Sequence, residues 1–490
     1  MTDLVTGPRL SPTHLETALH YDRSRVTPGI VHLGLGAFHR AHMAAYIDDI
    51  LASDPSWGIV GASLRRPDTR DALAPQDFLY TLAFRSKAGP STRIIGSVLN
   101  VLDANTQRDS VIGTMADTRI RIVSLTITEK GYCHNPATGM LDEAHLDIVH
   151  DLANPTTPVS APGLIVRALE LRKAAGVAPF TVLSCDNLLA NGETTKRIVT
   201  RFAALRGREL ADYVEHEVAF PSTMVDRIVP ATTEDDRNLI FAATGLWDAW
   251  PIVTEPFTQW VIEDNFPFGR PALDTAGAQF VSDVRPYETM KLRMLNGSHS
   301  TIAYLGYLAG YEYVNEVIAE PAFHTLIHDL MTKEVMSTLP PDTGDPTNYR
   351  DALLERFANP ALKHRTWQIA MDGSQKLPQR LLGTIRDRLA ANLPINRLTL
   401  GVAAWIRYVS GRDEQGREFE VKDPLAAQLR AIADSAQNIP GKLTDGMLGV
   451  REVFSDDLPA DGLFRMLLTE HLSSLLEHNV LFTVRKINGR

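Results

Sequence analysis

The chain has 490 residues, 44% of them hydrophobic and 22% charged, and a formal net charge of −10. This length exceeds a single hydrophobic core, so two domains are expected, and the acidic balance argues against a nucleic-acid partner. Two cysteines, Cys133 and Cys185, are too few for a disulfide framework or a structural zinc site. Because neither a signal-peptide pattern nor a membrane-spanning apolar run is found, we expect a cytoplasmic protein without a membrane partner.

Residues 1–28 are polar, contain three prolines and are expected to lie over the surface. The apolar segment 29–34 then has the profile of a buried parallel strand, and a turn with Gly34 and Gly36 leads from it into a helical pattern. Strand, glycine turn and helix are the context of a dinucleotide fingerprint, because the glycines let the backbone approach a pyrophosphate. His39 replaces the third glycine of the usual pattern, and a purely steric role for the two glycines stays open.

The second predicted strand, residues 57–64, bears on the choice of cofactor. It is followed by Arg65, Arg66 and Asp68. In a dinucleotide fold the end of this strand meets the adenosine ribose, where an acid binds the 2′-hydroxyl and an arginine accepts a 2′-phosphate. Asp68 therefore favours NAD, whereas the two arginines keep NADP open.

Further apolar segments follow at 78–84, 93–102 and 120–127, and then come a helical stretch over 163–175 and a strand over 180–186. Glu129 lies in the polar cluster that ends the 120–127 strand, Asn187 in the cluster that ends 180–186, and Asp226 at the end of a further apolar run. Carboxyl ends of parallel strands are where open α/β sheets bind ligands, so these are candidate site residues. Beyond about residue 286 the pattern becomes mostly helical, over 301–337, 349–357, 376–393, 396–410 and 424–434.

The segment 287–300 is predicted to be one helix with a concentrated polar sector. At about 100° per residue, Glu288, His299 and Asn296 fall at about 60°, 80° and 140° from Lys291. Buried helices rarely collect such groups, because each must be desolvated and paired. The sector fits a site where a lysine moves protons, and a solvated polar face is the alternative.

Two familiar oxidoreductase signatures do not fit. Tyr287 and Lys291 have the spacing used by short-chain dehydrogenases, but this match is short, follows a proline and lies far from the glycine turn. A zinc alcohol dehydrogenase needs cysteine and histidine ligands that two distant cysteines do not provide. A metal-free dehydrogenase can instead use a desolvated lysine as base and amides such as Asn187 and Asn296 to polarise the oxygen.

Several segments resemble the long-chain, metal-independent mannitol dehydrogenase family, namely 34–42, 126–132, 184–187, 225–227 and 291–299. The resemblance covers nearly the whole chain. It implies an α/β protein with a Rossmann-like dinucleotide-binding domain over residues 1–285. A mostly α-helical substrate-binding domain would span 286–490, with the active site in the cleft between the two.

The resemblance also implies roles for individual residues. Lys291 is expected to be the general base, Asn187 and Asn296 to hold the reactive oxygen, and Glu288 to gate the proton. Substrate contacts are expected from Asp226, His299 and Lys376. Contacts with NAD are expected from Gly34, Gly36, Phe38, His39, Arg40, Asp68 and Glu129.

The substrate is expected to be a linear sugar acid or polyol. Gln368 stands where mannitol 2-dehydrogenases tend to carry an arginine, so the chain looks more like the fructuronate reductase branch. Arg365, Lys376 and Arg380 offer cations for a substrate carboxylate, although charges at helix ends are often only solvated. We expect interconversion of D-mannonate and D-fructuronate, with mannitol 2-dehydrogenase or arabinitol dehydrogenase activity as alternatives.

A non-catalytic nucleotide-binding protein is the remaining alternative. Such a protein would be expected to lose the lysine or the asparagines of the site, and the chain retains all of them. An enzyme is therefore favoured. It is expected to act as a monomer or a small homo-oligomer.

Overall fold

The computed structural model describes residues 7–14, 19–86, 89–135 and 138–489, and the chain divides into two compact units, residues 1–285 and 286–490. The expected surface lead-in lies partly outside the described residues. Its described part is not confined to the surface, because Leu10 is fully buried and its N–H donates to the carbonyl of Trp247 at 2.9 Å.

The strands of the first unit are β1 (Pro28–Leu33), β2 (Gly58–Ser63), β3 (Tyr80–Ser86), β4 (Gly89–Ile95), β5 (Val98–Asp103), β6 (Ile122–Leu125), β7 (His134–Asn135), β8 (Met140–Leu141), β9 (Thr181–Ser184), β10 (Thr223–Asp226), β11 (Ile252–Thr254), β12 (Gln259–Glu263) and β13 (Gln279–Val281). Its helices are α1 (Ala37–Ala41), α2 (Met43–Ile50), α3 (Asp68–Leu73), α4 (Arg108–Ala116), α5 (Thr128–Gly131), α6 (Leu146–Ala153), α7 (Ala161–Ala174), α8 (Asn191–Arg206), α9 (Arg208–Glu217) and α10 (Glu234–Thr244).

The main sheet is parallel, with strand order β5-β2-β1-β6-β9. Numbered along the chain, these strands have the 3-2-1-4-5 order of a Rossmann-type fold. The order in which strands are added to the sheet reverses between β1 and β6. Successive side chains of β1 point to opposite faces of the sheet. Val31 and Leu33 belong to the buried hydrophobic cluster on one face, whereas Ile30 belongs to the cluster on the other. A sheet covered on both faces explains why these strands read as continuous apolar runs in the sequence.

The apolar segment 93–102 is divided between two strands, β4 and β5, which are separated by Gly96 and Ser97. The N–H of Gly96 donates to the Asp48 carboxylate at 2.8 Å instead of to a neighbouring strand. A Cβ at Gly96 would lie 2.8 Å from Leu19 and 2.9 Å from the Tyr21 hydroxyl. Packing of the lead-in segment against this turn therefore requires glycine.

The second unit is helical in the part described, with α11 (Arg285–Met290), α12 (Gly297–Leu308), α13 (Val314–Ala319), α14 (Pro321–Asp329), α15 (Pro346–Phe357), α16 (Thr366–Ala370), α17 (Gly373–Leu377), α18 (Gly383–Ala390), α19 (Asn396–Val409), α20 (Ala426–Ala436), α21 (Pro440–Leu448), α22 (Arg451–Phe454), α23 (Asp457–Ala460), α24 (Gly462–Glu477) and α25 (Val480–Ile487). π-Helical segments occupy Lys291–Asn296, Leu330–Val335 and Pro378–Leu382.

The mostly helical pattern predicted over 301–337 is confirmed, and it comprises several helices. The first of them, α12, ends at Leu308, Gly310 then adopts a left-handed φ of 88°, and Pro321 starts α14. The helix predicted over 376–393 begins earlier, at Gly373, and passes through a π segment. No helix in the described part of the chain is both long and apolar enough to cross a membrane.

Candidate active site

The two glycines after β1 differ in what constrains them. Gly34 has a φ of 88°, and a Cβ there would lie 2.4 Å from the carbonyl oxygen of Thr126. Gly36 has extended backbone, and the nearest atom to a Cβ there is 3.8 Å away. Gly34 is therefore required by the close approach of two strand ends, whereas Gly36 leaves open space beside the start of α1.

That open space belongs to a cleft of about 610 Å³ at the carboxyl ends of the central strands. The cleft lies at the point where the strand order reverses, which is where Rossmann-type sheets bind dinucleotides. Its wall includes both glycines, the β2 end and the residues after β6, as follows: Gly34, Gly36, Ser63, Arg65, Arg66, Thr69, Asn105, Thr126, Thr128, Lys130, Cys133, Asp147 and Ser160. Sequence reasoning missed Ser63, Thr69, Asn105 and Ser160, although Ser63 lies next to the end of the predicted strand 57–64.

Three of the predicted cofactor residues lie on α1, directly after the glycine turn. The His39 ring is fully buried and stacks on His32 with ring centroids 3.5 Å apart, and burial holds its pKa well below the usual value. The buried Arg40 donates from Nη1 to the carbonyl of Trp250 at 2.5 Å. The Phe38 ring stacks on His42 at 5.1 Å. Cofactor contact by these three side chains stays a prediction.

The other two predicted cofactor residues are exposed or half-buried. Asp68 is the first residue of α3 and pairs with Arg66, with 2.6 Å between Oδ2 and Nη2. Glu129 lies on the short helix α5 with its side chain exposed. Arg65 and Arg66 line the cleft itself.

Cys133 lies close to two potential metal ligands that the sequence analysis did not predict. Its sulfur, the His145 ring and the Asp147 carboxylate offer donor atoms within 4.8 Å of one another. Because the chain has only two, distant cysteines, zinc is set aside on the sequence alone, and this overlooks His145 and Asp147, which lie next to Cys133 only in the fold. His145 Nδ1 already accepts the N–H of Asp147 at 3.2 Å as the cap of α6.

The helix around Lys291 is continuous, as predicted, but its register is not α-helical throughout. Residues 291–296 form a π segment, and the N–H of Gly297 donates to the carbonyl of Leu292, five residues earlier. Residues five apart therefore lie on the same side of successive turns. Lys291 and Asn296 therefore point in more similar directions than the angle of about 140° expected for a regular α-helix.

A second π segment packs against this helix. A Cβ at Gly297 would lie 2.9 Å from the carbonyl oxygen of Arg380, which belongs to residues 378–382. The guanidinium of Arg380 donates to the Ser300 hydroxyl at 3.2 Å. Glycine at 297 therefore permits the close contact of two π segments, a backbone form often found at functional sites.

His299 is enclosed by the same unit. Its ring lies 4.7 Å from that of Phe357 and 5.2 Å from that of His364, measured between centroids. Among the described residues its Nε2 has no hydrogen-bond partner. Burial, and then the neighbouring charges of His364, Arg356 and Arg380, hold the pKa of His299 well below its usual value, so the ring is neutral. A buried neutral ring with an unused nitrogen suits a substrate hydroxyl.

The predicted carboxylate partners differ in their surroundings. Arg365 is exposed and pairs with Glu312, with 2.9 Å between Nη1 and Oε1. Lys376 is half-buried, donates to the carbonyl of Met371 at 2.6 Å, and lies 4.0 Å from the Asp372 carboxylate. Gln368 is exposed on α16.

Of the remaining candidates, two belong to the first unit and one to the second. Asp226 is the last residue of β10 and is buried. Asn187 is exposed, three residues after the end of β9. Glu288 is half-buried on α11, one turn before Lys291.

Known proteins resemble the chain over almost its full length. Residues 28–275 match the mannitol dehydrogenase Rossmann domain and 283–476 the mannitol dehydrogenase C-terminal domain. A D-mannonate oxidoreductase of Escherichia coli K12 is 47% identical over 463 residues, which are 93% of this chain and 95% of the relative. A mannitol 2-dehydrogenase of Aspergillus fumigatus is 42% identical over 477 residues, 95% and 94% of the two chains.

A solved structure agrees. The Pseudomonas fluorescens mannitol 2-dehydrogenase, in ternary complex with NAD and D-mannitol, matches with a TM-score of 0.86 and 38% identity, covering 98% of this chain and 100% of that one. The Rossmann-type cleft and the lysine helix define an oxidoreductase. The chain belongs to the mannitol dehydrogenase family.

Proposed function

We propose that the protein is an NAD-dependent oxidoreductase that interconverts D-mannonate and D-fructuronate, using a lysine base and no metal. The observation that carries the proposal is the π segment that turns Lys291 and Asn296 to the same side of one helix. An amine and an amide in that arrangement are the groups that a metal-free dehydrogenase needs.

The cofactor assignment is supported by the cleft of the first unit. Gly36 leaves space at the start of α1, and Gly34 permits the tight turn between β1 and α1. The Asp68 carboxylate neutralises Arg66, which favours a ribose hydroxyl over a phosphate. The Pseudomonas relative holds NAD. NAD supplies the hydride acceptor when the alcohol is oxidised.

The roles of the side chains follow from their chemistry. Lys291 takes the proton of the substrate hydroxyl, and the amide groups of Asn296 and Asn187 donate to the oxygen as negative charge develops on it. Glu288, one turn from Lys291, receives the proton from the lysine. The neutral ring of His299 and the carboxylate of Asp226 bind neighbouring hydroxyls of a linear substrate.

A sugar acid is preferred over a neutral polyol because cations are available in the second unit. Lys376 is half-buried and donates from Nζ to the Met371 carbonyl at 2.6 Å, so a cation of the second unit lies partly shielded from water. Arg365 already shares its charge with Glu312 and is the weaker candidate. The higher identity to the D-mannonate oxidoreductase supports the same choice. Mannitol 2-dehydrogenase activity is the second candidate, supported by the fold match to that enzyme.

Initial rates test the proposal directly. Fructuronate, fructose, tagaturonate and xylulose are each reduced with NADH and with NADPH, and kcat/KM is compared. The proposal expects fructuronate with NADH to give the highest value and Asp68→Ala to narrow the NADH preference. A highest value with fructose identifies a mannitol 2-dehydrogenase, and NADH binding without turnover of any alcohol or ketone identifies a non-catalytic protein.

A further inference from the structure

We infer that Asp186 is the positioning residue of the cofactor cleft, which holds the loop of residues 126–132 in the shape of the cleft wall. Asp186 is not part of that wall and lies on the neighbouring connection, after β9. Thr126, Thr128, Lys130 and Gly131 of the 126–132 loop line the cleft. The inference rests on the cofactor role proposed for this cleft and is independent of the substrate.

The carboxylate of Asp186 joins two strand ends. Its Oδ2 accepts the N–H of Ile127 at 2.9 Å and the hydroxyl of Tyr132 at 2.8 Å, and its Oδ1 accepts the N–H of Thr128 at 3.0 Å. The loop is thereby held at both ends, at its first residues and at its last. The Tyr132 hydroxyl is also 2.6 Å from that of Ser184, the last residue of β9.

The loop conformation needs such an anchor. Thr128 has a φ of 62°, a left-handed backbone that is costly for a β-branched residue. Conformations of this kind persist only where the surroundings determine them. The carboxylate supplies that determination, because it accepts the N–H of Thr128 and of the residue before it.

The anchor itself is fixed and is costly to bury. The three donors to the Asp186 carboxylate are neutral groups, and burial is the main cause that raises its pKa. Asn191 donates from Nδ2 to the Asp186 carbonyl at 3.0 Å and to the Thr223 carbonyl at 2.9 Å. The segment that carries Asn187 is therefore tied to β10, and the cofactor loop is tied to that segment through Asp186.

The test compares Asp186→Asn with a matched variant of the full-length enzyme, Asp48→Asn. Asp48 is a buried aspartate of the same unit that also accepts a backbone N–H, from Gly96 at 2.8 Å, and a tyrosine hydroxyl, from Tyr21 at 2.6 Å. For each variant, fluorescence titration gives the dissociation constant for NADH, and kcat is measured at saturating NADH. The Tm of each variant is measured as well. Asp186→Asn replaces one acceptor by an NH2 group that faces a backbone N–H.

We expect Asp186→Asn to raise the NADH Kd about 10-fold or more, with a smaller loss in kcat, because one or two hydrogen bonds to a charged group are lost and an NH2 group faces a backbone N–H. Asp48→Asn should lower Tm but leave the Kd within about 2-fold of wild type. An unchanged Kd in Asp186→Asn, or an equal rise in both variants, overturns the inference.

If Asp186→Asn does not fold, Tyr132→Phe takes its place. Its NADH Kd is expected to rise by about 2- to 5-fold, and an unchanged Kd again overturns the inference. A wild-type enzyme that does not bind NADH refutes the proposed cofactor instead.

Discussion

The carbonyl of Leu292 accepts the N–H of Gly297 five residues on, so the helix that carries Lys291 gains one residue in a single turn. The gain turns Asn296 toward the side of Lys291. It occurs where the helix meets the backbone of Arg380, 2.9 Å from the position that a Cβ on Gly297 would occupy. Register and packing are therefore linked at the proposed catalytic lysine.

Replacing Lys291 tests its role as general base. Lys291→Ala should lower kcat by about 10²- to 10⁴-fold, the usual contribution of a positioned acid–base group, and leave the NADH Kd nearly unchanged. Lys333→Ala is the matched control, since Lys333 lies on a π segment of the same unit in an exposed pair with Asp329. Stopped-flow rates and fluorescence titration provide the two numbers. Near-normal turnover of folded Lys291→Ala protein refutes the assignment.

Replacing Gly297 tests the link between register and packing. Gly297→Ala places a methyl group against a backbone carbonyl, so the two π segments must separate. We expect kcat to fall at least about 10-fold and the free energy of unfolding to drop by about 1–3 kcal/mol, the usual cost of overpacking.

Gly441→Ala is the control for that substitution, because Gly441 lies in helix α21 of the same unit with nothing within 4 Å of a Cβ. It should be neutral or stabilising by up to about 1 kcal/mol. Equal kcat values for Gly297→Ala and Gly441→Ala would show that the close contact does not matter for catalysis.

The sequence sufficed to predict the strands around the glycine turn, because a sheet buried on both faces leaves continuous apolar runs. It also predicted the helix through Lys291. The π register could not be predicted, since it depends on Gly297 meeting Arg380 from a distant segment. The burial of His39 had no signal either, because a histidine in a glycine turn reads as polar and its partner, His32, faces it from a strand.

Buried histidines give a stability that depends on pH. Burial lowers the pKa of His32 to about 3 and those of His364 and His471 to about 4, and it holds that of His299 well below the usual value. In the unfolded chain these histidines have a pKa of about 6.5, so below that pH they bind protons in the unfolded state but stay neutral in the folded state. Stability is therefore complete above about pH 6.5 and is lost as the pH falls toward 4, by about 1.4 kcal/mol per pH unit for each histidine.

Thermal unfolding between pH 7.5 and 4.5 measures this effect. His471→Asn removes one of the buried rings, far along the chain from the proposed site residues, and should reduce the dependence of Tm on pH. A Tm that is constant or rises toward acid pH contradicts the prediction.

Removal of metal ions should leave the enzyme active. The proposed mechanism assigns proton transfer to Lys291 and oxygen stabilisation to amides, so exhaustive chelation should preserve kcat. Cys133 and Asp147 lie in the wall of the cofactor cleft, with His145 beside them, and Cys133 is the position to examine if chelation has an effect. Cys133→Ser and Cys185→Ser separate the cases: a loss on chelation that zinc restores and that only Cys133→Ser abolishes would overturn the metal-free mechanism.

The choice between a sugar acid and a neutral polyol depends on a cation near the far end of the substrate. A carboxylate without a partner is costly to desolvate, so one cation of the second unit must pair with it. Lys376 is half-buried with its ammonium on the Met371 carbonyl, whereas Arg365 is exposed and paired with Glu312. Lys376→Ala should therefore lower kcat/KM for fructuronate by about 10²-fold, a loss of about 2–3 kcal/mol that is typical of a charge-assisted hydrogen bond, and it should lower kcat/KM for fructose less.

Arg365→Ala is the matched control and should change kcat/KM for either substrate by less than about 3-fold. If Arg365→Ala removes the fructuronate preference instead, the pair with Glu312 opens to receive the substrate. If fructose is the better substrate of the wild type, the enzyme is a mannitol 2-dehydrogenase and no carboxylate partner is required.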